Sequence, residues 1–500
     1  MSELRRNVRR ALPWSFTAAA LQILLSLVSM VLLVRYLDPK EYGIWALFGA
    51  LPVTVNLVTS FGWVEFIIRF VPGLDDAGEV GRTVWPIVFR QMILAVAVSG
   101  LLVLGFDLYQ ARFGLEGYWL HLVVIQGAVI ANRGTLYLTT AMNARFLQRE
   151  VVLRTFPAQV LQLAVTALGI YWREDFLFFV ILAACVAAGN LAAAAWVFGR
   201  QYPAPGLRKL AAGVDEDREQ TSYRRLSFVN EWGVNFLSTD IARFIVSYFS
   251  DNVQVAIYAV ATTIVSRLQF FLPIPMLKSV TGATFYTRYE QTGDPVELQR
   301  MFRFLYDTNS LVSLGLLVAF LTGGRELLAF VFHTTYGDAF TPVVILLAFL
   351  ILHFMPLGMV VRALKRPESL IYSKVAVLLN VALGVPLVIH YGATGMAVAT
   401  AVSVAFKNMV LLFFVRRLIA FRMPWRALSR GGLAAAAAVL VGRALDPWLP
   451  LLAEIALAGL VYVGAIRVLR PLEPADQVLL GEVAPGPIGR LVPWILGRPA

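Results

Sequence analysis

The chain carries little charge for its length. Only 15% of its 500 residues are charged and 59% are hydrophobic, whereas soluble domains average about 25% and 45–50%. A chain that folds in water could not bury that much apolar surface. The composition therefore excludes an ordinary soluble protein and indicates that lipid is the main solvent of this one.

Cysteine and recognisable catalytic motifs are also scarce. Cys185 is the single cysteine, so the chain can form neither an intramolecular disulfide nor a cysteine-rich metal site. The histidines are scattered over different segments and have no metal ligand at helical spacing. The sequence contains no Walker-type phosphate loop, His-Glu-x-x-His motif or nucleophile elbow. We therefore predict no metal site, no cofactor and no nucleotide-driven step.

What the sequence does contain is a series of long apolar segments. Each is about 20 residues long, which is enough to cross a hydrocarbon core of roughly 30 Å as an α-helix. Read against charged and turn-forming residues, they predict about fourteen transmembrane helices. The predicted spans are 14–34, 42–68, 84–106, 117–141, 154–171, 176–198, 227–249, 253–276, 307–322, 341–361, 370–390, 393–415, 431–447 and 450–467.

The distribution of basic residues predicts the topology. The net charge is +12, but Lys and Arg lie in short connections rather than along one stripe, so the pattern does not indicate nucleic-acid binding. Cytoplasmic connections of membrane proteins carry an excess of Lys and Arg. Here most of them fall on the side that also holds both ends of the chain, which is therefore predicted to be cytoplasmic. The basic residues in connections on the opposite side are Arg35, Lys40, Arg112, Arg173, Arg325 and Arg443.

A long charged connection divides the predicted helices into two groups. It falls between the sixth and seventh spans, and a weak internal repeat supports the division, because Val34–Leu47 is echoed by Val246–Val260 with one inserted residue. Parallel repeats of this kind create a cleft between lobes for alternating access. The predicted fold is all-α, with two pseudo-symmetric six-helix lobes around a central cavity. The predicted parts are the first lobe 1–198, the linker 199–226, the second lobe 227–415, and two further helices with a tail in 416–500.

Three segments resemble a known family. Leu33–Gly43 is similar to the start of bacterial polysaccharide and O-antigen flippases, members of the multidrug/oligosaccharidyl-lipid/polysaccharide exporter superfamily. Asp240–Ala261 and Tyr391–Thr400 are similar to the regions that join the seventh to the eighth and the eleventh to the twelfth helices of that family. The resemblance covers roughly residues 5–470.

This resemblance implies a flippase of the bacterial inner membrane. Such a protein moves a polyprenyl-pyrophosphate-linked oligosaccharide from the inner to the outer leaflet, for cell-surface polysaccharide synthesis. The partners it implies are that lipid-linked oligosaccharide, membrane lipid, and a polysaccharide polymerase or glycosyltransferase. Because the family shares no short catalytic signature, the identity of the sugar does not carry over.

A few basic residues fall inside the predicted spans, where a charge costs several kcal/mol unless it meets water or a partner. They are Arg90, Arg133, Arg243, Arg267 and Lys407. All but Arg243 lie roughly 9–15 Å from the predicted cytoplasmic ends of their helices. If they face the cavity, they form a cationic pocket for pyrophosphate, since guanidinium groups bind phosphate oxygens through parallel donors. The alternative is that each cation pairs with an acid or extends to the lipid headgroups.

Other charged candidates lie on the second and seventh predicted helices. Arg69 has Glu65 one turn before it, and this pair stabilises a helix only weakly. Arg69 is a further candidate for the cationic cavity, and Glu65 is a candidate for ion coupling or gating. Asp240 and Arg243 are three residues apart and are expected to neutralise each other, with gating or ion coupling as the alternative. Glu231 could couple transport to a proton or sodium gradient, and the alternative is a polar face near the membrane boundary.

Two other functions fit a polytopic chain. A cation-coupled multidrug exporter of the same superfamily would present acids to cationic drugs, which the excess of Arg inside the spans disfavours. A membrane-bound polymerase or glycosyltransferase would need a large external domain, and the largest external connection predicted here is Arg325–Thr341. Asp215-Glu-Asp217 matches the Asp-x-Asp pattern of metal-dependent glycosyltransferases, but it lies in the linker without a nucleotide-binding domain. The sequence therefore favours a transporter over an enzyme.

Overall fold

The computed structural model describes residues 21 and 23–473, except 207, 209, 211–213, 215, 270–271, 273–293, 333 and 365–367. Over these residues the chain is all-α and contains no strand. The predicted all-helical class is therefore confirmed. The beginning of the first predicted span, the end of the span 253–276, and residues 474–500 of the predicted tail lie outside the described residues.

The chain divides into two compact units, Met1–Ala256 and Ile257–Ala500. The helices that begin in the first unit are α1 (Ile23–Tyr36), α2 (Pro39–Thr59), α3 (Trp63–Phe70), α4 (Ala77–Leu104), α5 (Phe106–Tyr109), α6 (Trp119–Ala144), α7 (Gln148–Trp172), α8 (Phe176–Gln201), α9 (Arg218–Phe236), α10 (Thr239–Phe249) and α11 (Asn252–Leu268). Those of the second unit are α12 (Pro295–Val331), α13 (Phe340–His353), α14 (Leu357–Ala363), α15 (Glu368–Tyr372), α16 (Val375–Leu418), α17 (Trp425–Leu445) and α18 (Leu451–Leu469).

The seventh predicted span packs with the helices that precede it. α9 contacts α2 and α3, and α10 contacts α2, so both belong to the first unit. The end of the predicted linker is helical, because α9 begins at Arg218 with a capping box formed by Asp217 and Gln220. The predicted lobe limits, 1–198 and 227–415, differ from the limits of these two units and remain a prediction.

Ten described helical segments are long and apolar enough to cross a membrane. The protein is therefore a multi-pass membrane protein, and the prediction of about fourteen spans is consistent with them. The difference between ten segments and fourteen predicted spans arises in part because α1 is shorter than 18 residues within the described part of the chain. Another part arises at α16, whose 44 residues would extend roughly 66 Å if straight, about twice the hydrocarbon thickness. A kink at Gly392, with φ of 53°, divides α16 into the predicted spans 370–390 and 393–415.

Two predicted spans are each interrupted. The span 42–68 forms α2 and α3, which are separated where Phe61 and Gly62 have φ of 45° and 76°. The span 227–249 forms α9 and α10, and the hydroxyl of Ser238 caps α10 by accepting from the main-chain N–H of Ile241 at 3.4 Å. The first interruption packs against α9, since Gly62 lies against the main chain of Arg224. Farther along α9, Trp232 Nε1 donates to the carbonyl of Leu57 near the end of α2.

The predicted external connection Arg325–Thr341 is mostly helical. α12 continues to Val331 with non-helical torsions only at Gly323, and a 3₁₀ segment follows at Thr334–Ala339. The predicted connection is therefore largely part of α12 and of this 3₁₀ segment.

Each unit has its own core. In the first, α6 packs against α2, α3, α4 and α8, and aromatic side chains such as Phe66, Tyr137 and Phe198 are buried between them. In the second, α12, α17 and α18 pack on one another. Gly442 of α17 lies against Thr322 and Ala458 without room for a side chain. Such small residues let helices approach closely, which is what associates them in lipid.

Candidate functional site

Arg133 on α6 is the most buried of the predicted site residues, at 4% exposed. Its Nη2 donates to Oε1 of Gln91 on α4 at 2.9 Å, and its Nη1 donates to Oδ1 of Asn56 on α2. The guanidinium carbon lies 4.8 Å from the centroid of the Tyr137 ring, within the cation–π range. All three partners are neutral, so they contact the guanidinium without cancelling its charge. Its Nε is buried and has no hydrogen-bond partner among the described residues.

The counter-charge of Arg133 is distant. Within the part of the chain that the structure describes, Arg133 forms no ion pair, and Glu231 of α9 interacts with it electrostatically at longer range. Glu231 lies beside Ser60, at the interruption between α2 and α3. Its Oε2 is buried and makes no hydrogen bond to the described residues. The first unit therefore contains a buried cation and a partly buried carboxylate that do not neutralise each other directly.

The second unit holds two further cations of this kind. Lys407 on α16 is half-buried and interacts electrostatically with the imidazole of His353 on α13. The neighbouring Asn408 donates through Nδ2 to the carbonyl of Leu352, which joins α16 to α13. Arg267, near the end of α11, is also half-buried, and its Nε is buried without a hydrogen-bond partner among the described residues. Neither Lys407 nor Arg267 forms an ion pair with any residue that the structure describes.

Two predicted cations lie on the surface of the first unit. Arg90 on α4 is exposed. Arg69 is not paired with Glu65, because its Nη2 lies 3.9 Å from Oε1 of Glu219, and its guanidinium carbon lies 4.6 Å from the Tyr223 ring centroid. Exposed pairs of this kind contribute about 0–1 kcal/mol. Arg69 therefore helps to hold α9 against α3 rather than facing a buried site.

Arg243 is neutralised locally, as expected. Its Nη1 lies 3.0 Å from Oδ1 of Asp240, and the two residues are about one helical turn apart on α10. The same Nη1 donates to the carbonyl of Ala46 at 3.4 Å. This arrangement fits a structural link between α10 and α2.

Three of the cations lie farther from the ends of their helices than predicted. α4, α6 and α16 all extend beyond the predicted cytoplasmic ends of their spans. Arg90, Arg133 and Lys407 consequently lie roughly 16–20 Å from those helix ends, rather than 9–15 Å.

A family model for polysaccharide biosynthesis proteins matches residues 8–280, more than half of the chain. The chain belongs to this polysaccharide biosynthesis protein family. No curated protein matches the chain at a significant level.

The fold of this family member is also that of solved transporters. It is similar to the lipid II flippase MurJ in an inward closed conformation, with a TM-score of 0.69 and 13% identity over 91% of this chain and 97% of that one. A MATE protein in the bent conformation matches with a TM-score of 0.55 and 14% identity, over 83% of this chain and 95% of that one. An outward-facing multidrug resistance MATE family transporter of the MOP superfamily matches with a TM-score of 0.53 and 14% identity, over 83% of this chain and 95% of that one. At such low identity the likeness establishes the fold alone.

Sequence reasoning found the charged members of the site but missed their neutral partners. Asn56 and Gln91 carry no charge and lie far from Arg133 in sequence. The available signal was that each is a carboxamide within an apolar span, where a polar side chain needs a partner on a neighbouring helix.

Proposed function

We propose that this family member is a flippase for a polyprenyl-pyrophosphate-linked oligosaccharide. In this proposal the substrate passes from the inner to the outer leaflet of a bacterial inner membrane by alternating access, and both chain termini are cytoplasmic. The lipid-linked product then serves cell-surface polysaccharide synthesis, including O-antigen-type polymers, where a polymerase or glycosyltransferase consumes it. The family model and the MurJ-like fold support this assignment.

The observation that carries the proposal is the uncompensated positive charge inside each unit. Arg133 in the first unit, and Arg267 and Lys407 in the second, have no ion-paired carboxylate among the described residues. A pyrophosphate that leaves water must find cationic donors, because an unpaired charge in a low-dielectric medium is strongly disfavoured. An arginine with neutral partners keeps its full charge for such an anion.

The coupling role belongs to Glu231 in this proposal. Of the acidic candidates, Asp240 is already paired with Arg243, and Glu65 is only half-buried on the short helix α3. Glu231 has a buried carboxylate oxygen without a hydrogen bond to described residues. A proton taken up there would leave the charge of Arg133 less compensated, which would favour binding of the anionic substrate.

The test is a flux measurement in proteoliposomes that contain the full chain. The probe is a radiolabelled polyprenyl diphosphate carrying one N-acetylglucosamine, and flux is its arrival at the outer leaflet, detected with a membrane-impermeant lectin. The double substitution Arg133→Ala and Arg267→Ala should abolish flux while the protein still inserts and purifies as a single species. The matched control is Arg82→Ala, because Arg82 is a half-exposed arginine that interacts with Asp76.

Normal flux in the double variant would overturn the cationic-site mechanism. A cation-coupled multidrug exporter is the competing function. Wild-type liposomes that accumulate a cationic dye and do not move the lipid-linked sugar would favour that exporter instead.

A further inference from the structure

A second feature of the first unit is an uncharged cavity of about 280 Å³ between α2, α6, α7 and α8. Three carboxamides line it, one each from α6, α7 and α8: Asn132, Gln162 and Asn190. The aromatic rings of Trp45 and Phe48 on α2 form part of the opposite lining, and small or aliphatic residues fill the rest. The volume lies just below the ~300–1,000 Å³ of typical small-molecule sites, so it suits one ring rather than an extended chain.

The carboxamides in this cavity are available to a ligand. Oδ1 of Asn190 is buried and has no hydrogen-bond partner among the described residues. The Asn190 carbonyl accepts from Arg154 Nη1 at 2.8 Å, which fixes the main chain there. The side chains of Asn132 and Gln162 make no hydrogen bond with the residues that the structure describes. Leaving a buried acceptor unpaired is unfavourable, so a hydrogen-bond donor supplied by a ligand would stabilise the site.

The aromatic wall is held in place from behind. The ring centroids of Trp45 and Phe176 lie 6.4 Å apart in an edge arrangement, and Phe48 stacks on the same Phe176 ring at 6.4 Å. Fixed rings present a flat apolar face at little entropic cost. A site that combines such a face with groups that both donate and accept hydrogen bonds fits a molecule with one apolar face and a hydroxylated edge. A sugar ring has both.

The cavity adjoins Arg133 and its hydrogen-bond partners Asn56 and Gln91. Asn132 directly precedes Arg133 on α6, and Pro52, which lines the cavity, lies one turn before Asn56 on α2. The two sites are therefore roughly one helical turn, about 5 Å, apart along the same helices. In a lipid-linked oligosaccharide the first sugar is bonded directly to the diphosphate, so adjacent sites for the two groups match the order of the molecule.

We propose that this cavity is a subsite for an uncharged sugar ring of the lipid-linked substrate. The inference rests on the proposed flippase function and adds the place where the sugar binds. Asn132, Gln162 and Asn190 hydrogen-bond the hydroxyl groups, and Trp45 contacts the apolar face. Every residue that lines the cavity is uncharged, so the lining itself offers hydrogen bonds and apolar contacts rather than an ion pair.

Two probes separate the sugar subsite from the flippase proposal. One is polyprenyl diphosphate without a sugar, and the other is the same lipid carrying N-acetylglucosamine. Binding of each to the full chain in lipid nanodiscs is measured for the wild type, for Asn132→Leu and for Gln162→Leu. The matched control is Asn143→Leu, since Asn143 is an exposed carboxamide on α6 outside the cavity. Thermal unfolding of each variant in the same nanodiscs reports whether it is folded.

We expect each cavity variant to bind the sugar-bearing lipid about tenfold more weakly, as loss of one to two buried hydrogen bonds implies. Binding of the bare lipid should not change, and Asn143→Leu should behave as the wild type. Folded cavity variants that bind both lipids as the wild type does would overturn the subsite and leave the flippase proposal standing. Equal weakening toward both lipids would also overturn it, because the residues would then not read the sugar. A wild type that binds neither lipid would overturn the flippase proposal itself.

Discussion

Gly43 on α2 lies directly against the main chain of Asn252 at the start of α11, where a Cβ would overlap the Asn252 carbonyl. These residues belong to the two segments related by the internal repeat. Both segments begin a helix with an aspartate cap: Asp38 accepts from a main-chain N–H at 3.0 Å, and Asp251 does so at 2.8 Å. The repeated segments thus share a local structure and pack closely at Gly43.

Gly43→Ala is therefore expected to destabilise the protein. The added methyl group meets a main-chain carbonyl that cannot rotate away, so α2 or α11 must shift, and overpacking of this kind costs about 1–3 kcal/mol. The loss should show as a lower midpoint in thermal unfolding of the purified protein, followed by size-exclusion chromatography. Gly127→Ala is the control, because nothing lies within 4 Å of a Cβ at that exposed position on α6. Equal midpoints for the two variants would contradict the close contact.

The side chain of Asn252 holds the segment between α5 and α6. Its Nδ2 donates to the carbonyls of Phe113 at 2.9 Å and Gly114 at 3.1 Å, and its Oδ1 accepts from Ser247 Oγ at 2.9 Å. Asn252→Leu keeps the size of the side chain and removes these bonds. We expect faster amide hydrogen exchange in residues 110–118, measured by mass spectrometry, because local opening becomes easier.

Ser247→Ala is the graded comparison for Asn252→Leu. It removes the hydroxyl that bonds to Asn252 and Phe113 but leaves both Asn252 donors in place. The increase in exchange should be smaller. Exchange in residues 110–118 that responds to Ser247→Ala and not to Asn252→Leu would contradict this interpretation.

The helical class and the positions of most apolar segments could be predicted from the sequence because lipid imposes a simple requirement. An apolar stretch of about 20 residues must be helical to satisfy its own backbone. The interruption at Phe61 could not be predicted. Phe61 adopts a φ of 45° that its side chain disfavours, and Gly62 packs against the main chain of Arg224 on α9. Such a break is determined by a helix more than 150 residues later in the chain, and no local pattern encodes it.

The candidate site shows the same limit. Arg133 and Lys407 could be found because a charge within an apolar segment is conspicuous. Their surroundings could not, because Gln91 and Asn56 meet Arg133 only after α2, α4 and α6 pack. The expected Glu65–Arg69 pair was wrong for a related reason: spacing along one helix gave the weaker partner, and α9 supplied Glu219 and Tyr223 instead.

Two buried glutamines of the first unit should respond oppositely to replacement. Oε1 of Gln91 accepts from Arg133 at 2.9 Å and from Tyr137 at 3.1 Å. Gln126 is 3% exposed, yet neither of its terminal atoms has a hydrogen-bond partner in the described residues. Gln91→Met should lower the free energy of unfolding by about 1–3 kcal/mol, because it leaves a buried guanidinium donor unpaired.

Gln126→Met should leave that free energy unchanged or raise it, since it removes a buried polar group that gains nothing from the fold. Chemical denaturation of both variants in the same detergent provides the measurement. The two substitutions are matched in residue type and burial, so a difference between them reports the hydrogen bonds. A larger loss for Gln126→Met than for Gln91→Met would show that Gln126 has an essential partner.

The arrangement of Glu231 and Arg133 leads to a prediction about how the proposed transport depends on an ion gradient. The two side chains interact electrostatically without forming an ion pair, and one carboxylate oxygen of Glu231 is buried and unbonded among the described residues. Glu231→Gln imitates the protonated acid and removes the negative charge that partly offsets Arg133. In a low-dielectric site this strengthens the attraction for an anion.

We therefore expect Glu231→Gln to bind polyprenyl diphosphate several-fold more tightly than the wild type and to lose the dependence of flux on an imposed pH or sodium gradient. Proteoliposome flux with and without the gradient measures the second effect, and nanodisc binding measures the first. Glu219→Gln is the control, because Glu219 is an exposed carboxylate on the same helix whose partner is Arg69. If gradient-driven flux persists in Glu231→Gln and lipid binding is unchanged, Glu231 is a structural residue and the coupling group lies elsewhere in the chain.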